Sequence, residues 1–425
     1  MFFLSFFLIL GLCYVVVGLA SVLLKIFGIL FVAVFCLFTL NNWERTTEVF
    51  NKSYLLNVPN GLDVLFDKQT LAFFPLLAFY CFLANSQNHP RNRWLDVAFI
   101  LSCFYSISSS NPLVYLIFLE SSSLFLYFVS RTADSGQVSA LRFLKYSVFS
   151  FSALVVAFFL ARFGHTELSY WLAVFAIFAK APLFPFNGWQ IQAYSMCTPV
   201  SVFGMSSILS KLSLLYFTRH VALGDEFENT GIIVTSVAGL MAGLKILIHR
   251  DSVNRLALAS STHIALMFSA IIADLSLALT FFPIFVLGHG IVIGLLLVRE
   301  KLGSQFSLGS FLATLALIGQ PLSLIFWSDV GGLVTVFNSS TYCFCALAIG
   351  LVCVAWFGLT VLAERKLILL TKDLDFFMLL IFIVGLYPKN LQPEYRPSVS
   401  FENNFVPKSF EPSQKSNGQN FLKSI

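Results

Sequence analysis

Charged side chains are scarce in this chain. Only 11% of its 425 residues are Asp, Glu, Lys or Arg, while 58% are hydrophobic. A soluble domain carries about 25% charged residues, so a soluble enzyme is excluded and a polytopic membrane protein is indicated. The formal charge of +5 is spread over the whole length without a basic–aromatic motif, which is no nucleic-acid signature. The eight cysteines form no CxxC pair and sit mostly inside apolar runs. They read as small buried hydrophobes, not as metal ligands or disulfides. Neither a Gly-rich phosphate loop nor a GxSxG elbow is present, which leaves a nucleotide or acyl-transfer site unsupported. Residues 1–24 carry no charge, so they resemble neither an Arg-rich transit peptide nor a signal peptide with a basic start. The first helix is therefore expected to be retained. Phenylalanine, in contrast, is abundant at 49 residues, which points to a biased genome.

What is present is a series of apolar stretches: 2–20, 22–40, 71–83, 94–107, 113–130, 144–161, 170–186, 200–217, 232–248, 256–272, 277–298, 311–326, 342–361 and 376–386. At about 20 residues per span these predict an all-α polytopic membrane protein with about 14 transmembrane helices. Residues 1–60 form N-terminal helices and a polar loop with a Pro59-Asn60-Gly61 turn. The core is expected at 61–386. Residues 387–425 turn polar, with five prolines and no apolar periodicity, and read as an extramembrane tail. Asp225, Glu226 and Glu228 are read as a loop. Loop charges are too mixed to orient the chain by its basic residues.

The chain's most informative stretch is Lys180-Ala181-Pro182-Leu183-Phe184-Pro185. The ten residues before Lys180 are apolar on every helical face, so the lysine lies at membrane depth beside a Pro-broken backbone. Broken backbone is tolerated there only inside protein or beside a water-filled cavity. A charge at the bilayer centre costs about 2.5–3.5 kcal/mol and so tends to mark an ion or proton path. A snorkelling lysine at a helix end is the plainer alternative. A second Pro-interrupted stretch, Gln320-Pro321-Leu322, echoes the first. Two such breaks predict two inverted repeats, roughly 94–220 and 230–362, with broken helices near Pro182/Pro185 and Pro321.

Five more ionisable residues stand inside apolar segments. Glu120 needs a cation to stay charged, and Lys180 is its best candidate, with Arg131, Arg142 and Lys145 as alternatives. Lys211 lies among small and hydroxyl residues suited to close packing; an interfacial lysine is the plain alternative. His263 and His289 read singly as packing residues and together as a proton relay, without the neighbours a metal site requires. Asp329 follows the second break as a relay acid or a simple helix-end acid. As a set they form a series able to pass protons in a low-dielectric interior.

The run Lys180-x-Pro182-Leu183-x-Pro185-x-Asn187-x-Trp189, followed by Ala193 and Thr198-Pro199-Val200, resembles the signature of the antiporter-like subunits of respiratory complex I (NADH:ubiquinone oxidoreductase). That signature runs K-x-P-L-x-P-x-H-x-W-L-P-x-A, and the chain departs from it at Asn187, at Gln190-Ile191 and at Tyr194. Gly61-Leu62-Asp63, Leu119-Glu120, Ser260-Ser261-Thr262-His263 and His289-Gly290 add looser likenesses. The stretches around Lys211, His289–Glu300 and Asp329 resemble subunit 4. Those around Leu119–Tyr127 and Leu144-Lys145-Tyr146 resemble subunit 2. Subunit 4 is the expectation, because an acid at Asp329 in place of a lysine changes the chemistry.

The resemblance implies a proton-translocating membrane-arm subunit, part of an enzyme complex but without redox chemistry of its own. Glu120 and Lys180 would form an ion pair, Lys211 would carry the central proton, His263 and His289 would continue the axis, and Asp329 would release it. No cofactor or metal is implied in this chain; NADH, FMN, iron–sulfur clusters and ubiquinone would belong to other subunits. Subunit 2-like and subunit 5-like neighbours, accessory subunits and lipids such as cardiolipin are the implied partners. The mitochondrial inner membrane, with organellar synthesis, is the implied location. A stand-alone cation/proton antiporter and a structural scaffold that has lost transport remain the alternatives.

Overall fold

The computed structural model describes residues 54–56, 64–86, 93–131, 137–221, 225–303, 307–321 and 323–364. The apolar stretches at 2–40 and 376–386, the Pro59-Asn60-Gly61 turn, the Gly61-Leu62-Asp63 match and the tail at 387–425 fall outside them. The described chain is helical apart from one short antiparallel pair, β1 (Tyr54–Leu56) and β2 (Val64–Phe66), with Leu55 opposite Leu65. This pair lies where the sequence reads only as a polar loop; its strands are too short to show an alternating pattern.

The first half runs through α1 (Lys68–Ser86), α2 (Arg93–Ser108), α3 (Pro112–Ser130), α4 (Gln137–Arg162), α5 (Thr166–Lys180) and α6 (Gly188–Met196). A continuous 22-residue helix, Pro199–His220, follows. It consists of α7 (Pro199–Phe203), a π-helical turn at Gly204–Leu209, and α8 (Ser210–His220). The second half comprises α9 (Asp225–Ile248), α10 (Ser252–Ala273), α11 (Leu275–Lys301), α12 (Leu308–Ile318), α13 (Leu324–Ser339) and α14 (Thr341–Glu364). Asp225 opens α9 instead of marking a loop, since acids are favoured at the positive end of a helix. Among the described residues, seven helices are long and apolar enough to cross a membrane, and four shorter apolar helices accompany them.

Each half contains one helix split in two, and local chemistry makes both splits. α5 ends where Pro182 cannot donate a hydrogen bond, and α6 restarts at Gly188. The stretch read as one helix at 311–326 is likewise two. α12 is closed by Gly319 in the left-handed conformation (φ 88°), and α13 is opened by Ser323, whose side chain accepts from the Phe326 backbone N–H at 3.2 Å. Thr198 caps the helix after α6 in the same way, with Pro199 in the first helical position.

Burial separates the spans into two groups. Over the apolar 18-residue centre of each span, all of Pro199–His220, 94% of Ser252–Ala273 and 83% of Leu275–Lys301 are buried, against 33% in Gln137–Arg162 and in Thr341–Glu364. The three central helices carry Lys211, His263 and His289, so the ionisable residues face protein and not the apolar rim. Small residues bring these elements close. A Cβ on Gly294 of α11 would collide with the Ser207 hydroxyl of the π turn, and one on Gly243 of α9 would lie 2.6 Å from the Gly350 Cα of α14. Helices in lipid gain association energy from such close backbone approach, since burial of apolar surface gives little there.

Candidate functional site

The site begins at the first break. Lys180, the last residue of α5, is 4% exposed and reaches across to α3 and α4. Its Nζ lies 2.8 Å from Glu120 Oε2 and donates to Ser123 Oγ at 2.7 Å and to Ser147 Oγ. Ser147 in turn donates to the same Glu120 oxygen at 2.9 Å. The ammonium thus has three acceptors and the carboxylate oxygen two donors, the compensation that a buried charge requires. Arg131, Arg142 and Lys145 are not the partners of Glu120. The second carboxylate oxygen, Oε1, is buried and has no hydrogen-bond partner.

The backbone opened by Pro182 is also satisfied from a neighbour. Its carbonyl oxygen lies 2.7 Å from Ser261 Oγ of α10, and the same hydroxyl lies 2.8 Å from Gln190 Oε1 of α6. Trp189 Nε1 donates to the Ala179 carbonyl at 2.9 Å, folding α6 back toward the lysine. Lys245 of α9 sits 4.4 Å from the centre of the Phe184 ring, a cation–π contact on the break itself.

Lys211 is fully buried, on the first turn of α8, and donates to the Ser206 carbonyl in the π turn. No carboxylate pairs with it among the described residues. The π turn inserts an extra residue, and such turns are frequent at functional sites. Ser207, in the same turn, donates to the Gly290 carbonyl at 2.6 Å, next to His289. Lys211 lies within electrostatic reach of both His263 and His289.

The two histidine rings stand 5.3 Å apart, and His289 also stacks on Phe285 at 4.9 Å. His263 Nδ1 is 2.9 Å from the Ala259 carbonyl, and Nε2 is 3.2 Å from Asp329 Oδ2. A carbonyl only accepts, so Nδ1 carries a proton. Nε2 then faces a carboxylate, and a proton must lie on one or the other to avoid two opposed lone pairs. Among the described residues neither ring nitrogen of His289 has a hydrogen-bond partner, and neither does Ser260 Oγ. Among the described residues no three His, Cys, Asp or Glu side chains are grouped to hold a metal.

The structure thus brings together Glu120 with Lys180, and His263 with His289 and Asp329. Lys211 lies near the second group, unpaired. Ser147 and Lys245 are site residues that sequence reasoning did not single out, while Ser123 and Ser261 entered it only as parts of family-like stretches, without a role. The serines flanking Glu120 were visible as a signal, whereas the partner of Ser261 is a backbone carbonyl and leaves no trace in sequence. Two further buried polar contacts lie outside this axis. Tyr80 donates to Asp96 at 2.8 Å, and Arg219 holds Asp67 through both carboxylate oxygens at 2.7 Å.

Residues 109–306 match the family described as NADH:quinone oxidoreductase/Mrp antiporter, transmembrane. A curated relative is subunit N of the NADH-quinone oxidoreductase of Campylobacter jejuni, 25% identical over 248 residues. The match takes in 52% of this chain and 53% of that protein, so the chain spans about half the length of its curated relative. Two solved structures share the fold. One is a chain of the membrane-bound sulfane sulfur reductase, an archaeal respiratory membrane complex (TM-score 0.72, 15% identity, 90% of this chain and 94% of that one). The other is a chain of respiratory complex I from Thermus thermophilus with bound aureothin (TM-score 0.71, 16% identity, 91% and 97%). The first split helix and the buried charges from Glu120 to His289 thus lie in the stretch that matches this family model, and the fold around them is similar to that of the two solved chains.

Proposed function

We propose that the chain is a proton-translocating membrane-arm subunit of an NADH:quinone oxidoreductase, moving protons along Glu120, Lys180, Lys211, His263, His289 and Asp329. The observation that carries this reading is the 2.8 Å Glu120–Lys180 pair at a helix break. One carboxylate and two hydroxyls compensate the ammonium while the pair is closed, and opening the pair removes most of that compensation. Lys211, unpaired and fully buried, is the acceptor that a proton leaving Lys180 needs. His263 and Asp329 share a proton position on the far side. NADH, FMN, iron–sulfur clusters and ubiquinone belong, on this reading, to other subunits, and their redox reaction drives the pair open electrostatically.

Between the two subunit identities, the acid at Asp329 supports a subunit 4-like role, and the match to subunit N supports a subunit 2-like one. We adopt the second, because that match extends over 248 residues, whereas the first rests on short stretches around Lys211, His289–Glu300 and Asp329. Membrane-arm neighbours, accessory subunits and bound lipid are part of the proposal. So is the mitochondrial inner membrane, although the curated relative is bacterial. The family description also names Mrp antiporters, which favours a stand-alone cation/proton antiporter as the second reading. Comigration with flavin and iron–sulfur subunits on a native gel separates the two. The direct test is Lys180→Ala in the assembled complex, with protons moved per electron measured in membrane vesicles. Translocation through this subunit is expected to be lost while assembly survives; an unchanged stoichiometry overturns the proposal.

A further inference from the structure

Asn187, Gln190 and Tyr194 lie at the start of α6 and along it at helical spacing, so they share one face. All three are buried, at 2%, 0% and 0% exposure. Each carries a polar atom without a hydrogen-bond partner: Asn187 Nδ2, Gln190 Nε2 and the Tyr194 hydroxyl. A buried unpartnered polar group costs about 1–3 kcal/mol, so three on one short helix are expensive to keep for packing alone.

Both ends of this face are anchored in the charged axis. At one end Trp189 bonds the carbonyl of Ala179, the residue before Lys180, and Gln190 shares Ser261 with the Pro182 carbonyl. The single hydroxyl proton of Ser261 serves one of these acceptors at a time. At the other end the Tyr194 hydroxyl, which has no hydrogen-bond partner among the described residues, is close to Gln190 and Ser206. Ser206 is the residue whose carbonyl accepts from Lys211. The face therefore runs from the break beside Lys180 to the acceptor of Lys211.

We propose that Tyr194 is the proton-bearing link between Lys180 and Lys211, with Gln190 as its positioning residue. The inference rests on the translocation reading above. In the transfer an N–H bond of Lys180 breaks and the proton reaches the phenol oxygen, directly or over water. The original phenol O–H bond breaks at the same step, and an N–H bond forms at Lys211. The phenol is neutral before and after, and one proton enters for each that leaves.

The test uses Tyr194→Phe and Tyr194→His in the assembled complex, with proton translocation per electron measured in membrane vesicles. Phe keeps the ring and removes the proton carrier, whereas His changes the shape and keeps a group able to carry a proton. A relay predicts a loss of about tenfold or more in Phe, the scale of a missing proton-transfer group, and recovery to at least half of wild type in His. Packing alone predicts the reverse order. Translocation retained in Phe, or lost equally in both variants, overturns the relay. Lys180→Ala and Lys211→Ala run alongside. If they lose translocation while Tyr194→Phe keeps it, only the relay fails; if they too are normal, the translocation reading itself fails.

Discussion

The Glu120–Lys180 pair makes a prediction that separates its stability from its function. At 2.8 Å and an effective dielectric of about 20, the attraction is about 6 kcal/mol. Removing both charges from water costs several kcal/mol per ion, so the net contribution of the intact pair is small. Removing one partner is different, because the other is left buried: a cost of about 3–5 kcal/mol is typical. Here the lower end applies, since Glu120 is 16% exposed and Ser123 and Ser147 still hold the ammonium. Glu120→Gln and Lys180→Met should therefore each destabilise by about 3 kcal/mol, while the double variant recovers most of that loss. The resulting coupling, about 5 kcal/mol in magnitude, is measured as a double-mutant cycle on detergent-denaturation midpoints. The recovered double variant should nonetheless translocate no protons. Single effects that add to the double effect within about 0.5 kcal/mol would refute the reasoning, since that is the signature of independent sites.

Two other substitutions test different parts of the fold. Lys211→Met removes a fully buried charge whose one hydrogen-bond acceptor is the Ser206 carbonyl. Stability should rise by about 1–4 kcal/mol while translocation is lost, and thermal unfolding and vesicle acidification on one preparation check both. Gly243→Ala would press its Cβ to 2.6 Å from the Gly350 Cα and should cost about 1–3 kcal/mol in thermal stability. Gly188→Ala, which meets nothing within 4 Å, serves as the silent control.

The parts of the site that could be read from sequence are those that water would otherwise have claimed. A carboxylate in an apolar helix demands a cation, so Glu120 and Lys180 could be named as a pair without knowing how α3 and α5 pack. The two breaks were legible because proline has no N–H to donate and Gln320-Pro321 repeats the pattern. Ser147 and Ser261 were not, because a serine in a membrane helix satisfies itself equally well on its own backbone, as Ser123 also does on Leu119 at 3.1 Å. The π turn at Gly204–Leu209 has no composition of its own; it arises where α7 and α8 settle against Gly294 and Gly290. The pairing of His263 with Asp329 needed the packing of α10 against α13, which no local pattern encodes.

Charge counting along the buried axis sets a limit on what the chain can carry. One end closes as carboxylate with ammonium, the other as imidazole with carboxylate, and Lys211 stands alone. With both pairs closed and the His263 ring holding both of its protons, these groups sum to zero when Lys211 is an amine and to a single positive charge when it is an ammonium. A second uncompensated proton must either go onto His289, beside the first charge, or open one pair, whose stranded partner then costs about 3–5 kcal/mol. That energy has to come from outside the subunit. On the proposed translocation reading, the arithmetic favours loading one charge per turnover and unloading it before the next enters.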